Sequence, residues 1–147
     1  MTLSKDYFER FSTIELAINL LGKSLYAQIG KTKVGGLIVE TEAYLQDDPA
    51  CHAYRKQTPR NQSMFKSPRT VYVYNIYGKY KCLNIVSAEE GVGEAILIRA
   101  LEPTAGIEMM KHNRFPTRDS HNVKLTELCS GPSKLCMALN LSKEDHD

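Results

Sequence analysis

Hydrophobic residues recur at helical spacing in three segments of the chain. Ser12 and Glu15 form a capping box, in which each side chain bonds the other residue's free backbone amide, so a helix begins here and ends near Gly22. Its predicted buried face consists of Ile14, Ala17, Ile18 and Leu21. Further helices are predicted over residues 104–112 and 131–141, with the inward-facing residues Ile107, Met110, Leu135, Ala138 and Leu139.

Five segments show instead the alternation that is typical of β-strands. They cover residues 24–29, 34–44, 71–77, 79–87 and 94–101. Their short connections favour an antiparallel or mixed sheet. Pro59, Pro68 and the polar run between them predict a long irregular loop over residues 45–69, and such loops in compact domains are usually functional. No repeat or linker divides the chain, so we expect one domain over residues 1–147.

Composition excludes several classes of protein. The 147 residues are 42% hydrophobic, with 19 Lys and Arg against 17 Asp and Glu, which disfavours disorder. No apolar stretch approaches the roughly 20 residues of a membrane helix, and the N-terminus lacks the apolar core of a signal peptide. We therefore expect an intracellular protein, whose four well-separated cysteines remain free thiols. No spacing of metal ligands is visible, and no metal is expected.

The charges are distributed unevenly. Between Pro49 and Ala88 there are seven basic residues and no Asp or Glu. This window is either a solvated face whose counter-charges come from elsewhere in the fold, or a surface for a polyanion, of which nucleic acid is the commonest. Tyrosines among the basic residues favour the second interpretation, because aromatic rings can stack on bases.

Two glutamates near the end of the second strand are candidates for chemistry. Alternation places Ile38, Glu40, Glu42 and Tyr44 on one face, and Glu42 lies where the strand enters the long loop. The pattern fits either a half-exposed strand or a general base. Arg99 interrupts an apolar strand and requires a partner, for which Glu40 and Glu42 are the candidates. That ion pair is either structural or catalytic.

A predicted hairpin carries aromatic and basic residues at its tip. Gly78 permits the tight reversal, so Tyr77 lies at or beside the tip, followed by Lys79 and Lys81. An exposed ring among lysines resembles a wedge that enters a DNA groove while the ammonium groups meet phosphates. Tyr74 points to the opposite face and is either a core aromatic or part of a site.

Two weaker signals complete the candidates. The segment from Ser130 to Lys134 offers a helix N-terminus whose free amides suit an anion such as phosphate, although most such caps are only caps. His52 lies inside the long loop, and a lone histidine is more often incidental than catalytic.

Six segments, in order and covering nearly the whole chain, resemble the alkyladenine (3-methyladenine) DNA glycosylase family. They are LLGK at 20–23, IVETEAYL at 38–45, QTPRN at 57–61, YVYNIYGKYKCLN at 72–84, LIRALEP at 97–103 and LCSGPSKLC at 128–136. The resemblance implies an α+β fold, a single domain with a curved, mostly antiparallel sheet, flanking helices and a protruding hairpin. It also implies a monomeric enzyme, located with DNA in a bacterial cytoplasm or a eukaryotic nucleus.

The resemblance also implies residue roles. Glu42 matches the general base that activates water, and Arg99 matches an arginine that helps to hold this water. Tyr77 matches the tyrosine that intercalates where the nucleotide is flipped out. The residues that match the pocket for the damaged base are Tyr44, His52, Tyr74 and Asn84, and those that match DNA-contacting positions are Thr58, Lys134 and, beside the wedge, Lys79.

The expected activity is the removal of alkylated, and also deaminated, purines from double-stranded DNA, which leaves an abasic site in base excision repair. No lysine occupies the position of Glu42, so a Schiff base and strand cleavage are not implied, and no cofactor is required. Family members continue beyond the position of Asp147 with a segment that helps to hold the attacking water. The alternative is therefore a DNA-lesion-binding module of impaired activity. A carbohydrate hydrolase is disfavoured because Glu40 and Glu42 point the same way instead of flanking a bond.

Overall fold

A single antiparallel sheet organises the protein. The computed structural model describes residues 2–54, 56–76 and 78–142. Five strands lie in the order β1-β2-β5-β4-β3, and every neighbouring pair is antiparallel. The strands are β1 (Ser24–Ile29), β2 (Thr32–Tyr44), β3 (Val71–Ile76), β4 (Tyr80–Val86) and β5 (Ala95–Ala105). The predicted α+β class and mostly antiparallel sheet are confirmed.

In the part of the chain that the structure describes, four α-helices flank this sheet. They are α1 (Lys5–Glu9), α2 (Thr13–Leu20), α3 (Ile107–Arg114) and α4 (Pro132–Ala138). Short 3₁₀ helices span Gln62–Phe65, Ser120–Asn122 and Leu125–Glu127. Helix α2 packs on β2, while α4 packs on β4 and β5 and also contacts α3. The main hydrophobic core lies between these helices and one face of the sheet.

The sheet curls strongly enough for its two edge strands to approach each other. Ser24 and Leu25 of β1 line the same cavity as Val71 of β3, although three strands separate β1 from β3 in the sheet. The structure is therefore a half-barrel, as the predicted curvature requires. A second, smaller apolar cluster lies under the long loop and comprises Cys51, Ala53, Met64, Tyr72 and Ala95.

The predicted buried face of α2 is wrong except at Ala17, which is buried. The helix does begin with the Ser12–Glu15 capping box, but its buried residues are Thr13, Leu16, Ala17 and Leu20. Solvent reaches the predicted inner face instead: Ile14 is 54% exposed, Ile18 63% and Leu21 43%. The sequence contains two apolar stripes at helical spacing. The stripe that packs against the core includes the polar Thr13, so the sequence pattern favoured the other one. Thr13 is tolerated inside because its hydroxyl bonds the side chains of Ser87 and Glu94.

Other segment boundaries differ from the predictions in smaller ways. Residues 104 and 105 extend β5, and α3 begins only after Gly106, whose φ of +68° is left-handed. Met110 is fully buried and Ile107 packs against the core, as predicted. The predicted inward residues of the last helix are also buried, Leu135 and Ala138 within α4 and Leu139 at its C-terminal cap. Helix α1 was not predicted, because one short turn carries no readable period.

Strand β2 does not keep a simple alternation. Its pairing with β5 is irregular between Ile38 and Thr41, where Glu40 pairs with Ala100. Ile38 is buried in the main core, and the Thr41 hydroxyl donates to Ala17 O of α2. Glu42 consequently faces the other side of the sheet from Ile38. The prediction that Ile38 and Glu42 share a face is wrong. At this irregularity the side chains of both strands change the face of the sheet to which they point.

Candidate active site

Two glutamates of β2 share one arginine of β5. Arg99 Nε lies 3.0 Å from Glu40 Oε1, and Arg99 Nη1 lies 2.8 Å from Glu42 Oε1. Loss of solvation opposes the charge of Arg99, but the hydrogen bond to Glu40 and the attraction of Glu42 raise its pKa overall. The predicted ion pair is confirmed, with both glutamates as partners. All three side chains are partly exposed, so these contacts fix geometry more than they stabilise the fold.

Tyr44 holds the second oxygen of Glu42. Its hydroxyl donates to Glu42 Oε2 at 2.6 Å. This hydrogen bond is the largest cause that raises the pKa of Tyr44 to about 12, and partial burial adds to it. The phenol therefore remains a proton donor at neutral pH. Arg99 and Tyr44 together fix both oxygens of Glu42.

The strand register brings Glu42 into line with a buried asparagine. Glu42 pairs with Leu97 of β5, Leu97 pairs with Asn84 of β4, and Asn84 pairs with Tyr72 of β3. Two strand spacings separate Glu42 from Asn84, or roughly 10 Å. Asn84 is 5% exposed, and its amide lies 3.4 Å from Cys82 O and 3.5 Å from Tyr72 O, so neither bond is short. This row of residues forms the floor of the site.

A small cavity lies beside this row. It measures about 80 Å³ and is lined by Tyr44, Ala50, His52, Met64, Ile76, Cys82, Asn84 and Leu97. The structure thus brings together three of the four residues predicted for the base pocket, all but Tyr74. The volume is far below the roughly 300–1,000 Å³ of ordinary ligand pockets.

Tyr74 lies behind His52 as seen from the cavity. The two rings stack, with centroids 3.8 Å apart and planes inclined by 25°. The guanidinium of Arg60 lies 4.6 Å from the Tyr74 centroid, and Arg60 also donates to Asn75 O at 3.1 Å. Loss of solvation around the ring lowers the pKa of His52, and the charge of Arg60 lowers it further. The His52 imidazole that lines the cavity is therefore uncharged near neutral pH.

Asn61 is a residue of this site that sequence reasoning missed. It is 4% exposed, and its side-chain nitrogen donates to His52 O at 2.8 Å and to Lys56 O at 3.1 Å. Its side-chain oxygen accepts from Thr58 N at 2.6 Å. One buried side chain therefore anchors the loop segment that carries His52 and Thr58. The asparagine belongs to the QTPRN segment, but that pattern does not say which carbonyls it would meet.

The predicted DNA-facing residues are spread around the exterior. Position 77, the predicted wedge, lies outside the described residues. Gly78, with φ +73°, and Lys79 are exposed at the turn between β3 and β4. Thr58 in the loop and Lys134 in the first turn of α4 are also exposed. Lys81, by contrast, points to the chain's last described segment and donates to Leu141 O at 2.9 Å.

The described part of the chain holds neither a cluster of metal-ligating side chains nor a membrane-spanning helix. Over residues 2–54, 56–76 and 78–142, no three His, Cys, Asp or Glu side chains come together as metal ligands would. Within the same ranges, no helix is long and apolar enough to cross a membrane. All four cysteines are buried free thiols.

Comparison with known proteins tests the family resemblance seen in the sequence. The sequence profile of the family described as methylpurine-DNA glycosylase matches residues 6–147. The chain belongs to this family. The family is one of N-glycosyl hydrolases, so the predicted resemblance and the predicted class of enzyme, a DNA-3-methyladenine glycosylase, are both confirmed.

Individual relatives of the methylpurine-DNA glycosylase family agree with this assignment. A Francisella tularensis protein named "Putative 3-methyladenine DNA glycosylase" is 51% identical over 137 residues, which cover 93% of this chain and 68% of the relative. Proteins of the same name from Methanocella arvoryzae and Prosthecochloris aestuarii are 45% and 46% identical. These two matches cover 96% and 97% of this chain, and 68% and 66% of the two relatives. The chain thus spans about two thirds of the length of these relatives.

Proposed function

We propose that this chain removes 3-methyladenine-type alkylated purines, and also deaminated purines, from double-stranded DNA by hydrolysis of the N-glycosidic bond. One observation carries the proposal: the carboxylate of Glu42 is held at both oxygens, by Arg99 at 2.8 Å and Tyr44 at 2.6 Å, beside a cavity walled by aromatic side chains. The product is an abasic site, and the reaction belongs to base excision repair inside the cell.

Access to the base requires that the nucleotide leave the DNA stack. The target bond of a nucleotide inside a duplex is out of reach of the carboxylate, so the nucleotide is flipped out at a cost of a few kcal/mol. Damaged bases pair or stack poorly and cost less to flip, which supplies part of the selectivity. In this proposal Tyr77 fills the gap that the nucleotide leaves, while Lys79, Thr58 and Lys134 contact the backbone.

The cavity must widen before it can hold a purine. Tyr44 and His52 both line its 80 Å³. The wall that contains His52 belongs to the long loop, which is attached through Asn61, whereas Tyr44 belongs to the sheet. We infer that the loop side yields and the sheet side stays fixed. The base then stacks on Tyr44 and against the His52–Tyr74 pair, where stacking and cation–π attraction of about 0.5–2 kcal/mol favour an alkylated, electron-poor ring.

Glu42 performs the chemistry in this scheme. Cleavage of the bond to the base develops positive charge on the sugar, as in glycoside hydrolysis, and a carboxylate beside it stabilises that charge. Glu42 also takes a proton from the water that attacks C1′. Arg99 keeps the carboxylate and this water in place. Asn84 on the cavity floor is the group that would oppose the exocyclic amino group of normal guanine.

The proposal is tested by the release of free base. Purified chain is incubated with methylated duplex DNA or with a duplex that contains hypoxanthine, and released bases are separated by chromatography. Glu42→Gln should lower the single-turnover rate by about 10²–10⁴-fold, the usual contribution of general acid–base catalysis. Glu40→Gln is the matched control, because Glu40 also pairs with Arg99 but lies two residues earlier, and it should keep most of the activity.

Other outcomes would change the assignment. Release by Glu42→Gln at the parent rate would refute the role of Glu42. Binding of lesion-bearing duplex without any release of base would favour the alternative, a lesion-binding module. Strand cleavage without added heat or base would contradict a monofunctional glycosylase.

A further inference from the structure

Tyr44 presents two chemically different parts to the site. Its ring forms one wall of the cavity, and its hydroxyl donates to Glu42 Oε2 at 2.6 Å. The two residues lie two positions apart on β2, so their side chains leave the sheet on the same face. Contact with the base and contact with the carboxylate can therefore be separated experimentally.

Arg99 alone does not fix the orientation of Glu42. Its Nη1 contacts Oε1 of Glu42, while its Nε contacts Glu40. A carboxylate that is held at one oxygen can still rotate about its terminal bond, since that torsion is broad. The Tyr44 hydroxyl supplies a second fixed point at Oε2. Each carboxylate oxygen accepts two hydrogen bonds, so one site on each oxygen remains for water.

We propose that the Tyr44 hydroxyl is a positioning group for the catalytic carboxylate of Glu42, with a contribution to the rate that is independent of the stacking of the Tyr44 ring on the base. This inference rests on the proposed function. Tyr44 acts here through Glu42. Loss of the hydroxyl should therefore slow the chemical step and leave lesion binding intact.

The geometry argues against a purely structural role for this hydrogen bond. The side chain of Glu42 is 39% exposed, so water can replace the lost donor and the fold loses little. The reaction rate is more sensitive to the position of the carboxylate than the stability of the fold is, because a misplacement of about 1 Å can cost roughly 10²-fold in rate. The effect should consequently be seen in the rate and not in the unfolding temperature.

The test separates binding from chemistry in Tyr44→Phe. Affinity is measured by fluorescence anisotropy with a duplex that carries 2′-fluoro-2′-deoxyinosine, whose glycosidic bond resists hydrolysis. The rate is the single-turnover release of hypoxanthine at saturating protein, normalised to the fraction of protein that binds the resistant duplex. We expect Tyr44→Phe to lose at least tenfold in rate, with a dissociation constant within twofold of the parent.

Two variants serve as controls. Tyr26→Phe removes a hydroxyl that bonds Thr104 Oγ1 at 3.1 Å on the edge strand β1, outside the lining of the cavity, and should change neither quantity by more than about twofold. Tyr44→Leu removes ring and hydroxyl together, and should lose affinity as well as rate.

The possible results are decisive. A parent-like rate in Tyr44→Phe, or weaker binding with an unchanged saturating rate, would overturn the inference. A parent protein that releases no base would instead overturn the proposed function itself, so the two failures are distinguishable. Normalisation to binding-competent protein keeps the comparison valid even if part of the variant does not fold.

Discussion

The loop anchor Asn61 allows a quantitative prediction that connects fold and function. Asn61→Ala deletes three hydrogen bonds at once, to His52 O, Lys56 O and Thr58 N. A typical hydrogen bond contributes about 0.5–1.5 kcal/mol net, which gives about 1.5–4.5 kcal/mol for the set of three. The three loop partners are exposed residues, so water can replace much of the loss, and we expect a fall of about 1–2 kcal/mol in the free energy of unfolding.

The effect on activity should be larger than this change in stability suggests. The protein remains folded after such a loss, but the His52 wall of the cavity is no longer held in place. We expect lesion excision, as kcat/KM, to fall about tenfold, which corresponds to about 1.4 kcal/mol of lost transition-state stabilisation. Urea unfolding measures the stability, and base release from hypoxanthine-containing duplex measures the activity.

Asn113→Ala is the matched control for this experiment. The amide of Asn113 donates to Ala138 O at 2.9 Å, between α3 and α4 and away from the loop. We expect a similar loss of stability from this variant and a kcat/KM within twofold of the parent. Equal activity in the two variants would show that the loop is held by other contacts, and would refute the reasoning.

Two further predictions concern pH and salt. Because the folded-state pKa of His52 is lowered, the unfolded chain takes up a proton that the folded chain does not, so stability should fall as the pH drops below about 6.5. His52→Gln should flatten this decline in urea unfolding between pH 5 and 7, and an unchanged decline would assign it to another group. Lys79→Met should reduce the slope of log Kd against log salt for duplex DNA by about 0.9, the value for one phosphate contact. Lys31→Met, at the turn between β1 and β2, should leave the slope unchanged, and equal slopes in both variants would contradict a DNA contact by Lys79.

The sequence predicts the sheet better than it predicts which faces are buried. Alternation located all five strands, because a strand's period of two is visible over six or more residues. It did not predict the disruption between Ile38 and Thr41, since an irregularity that involves two strands has no signature in either one. The face of α2 was misassigned for a related reason: Thr13 is buried by its partners Ser87 and Glu94, which are distant in sequence.

The candidate site shows the same limits. The approach of Arg99 to Glu40 and Glu42 was predictable, because a guanidinium in an apolar strand requires an acidic partner nearby. The stack of His52 on Tyr74 was not, since a loop residue and a strand residue meet there only through the path of the long loop. The role of Asn61 also depends on that path. Residue types thus indicated the chemistry, whereas the loop path decided the shape of the cavity.

The paired irregularity of β2 and β5 limits how the length of either strand can change. Without it, Ile38 and Glu42 would share a face, and either the carboxylate would enter the hydrocarbon interior or the isoleucine would be solvated. A one-residue insertion or deletion at this position in either strand would shift the register between β2 and β5 and separate Glu42 from Arg99. Only coordinated changes in both strands could conserve the contact, so natural length variation in this protein is expected in its turns and not in these two strands.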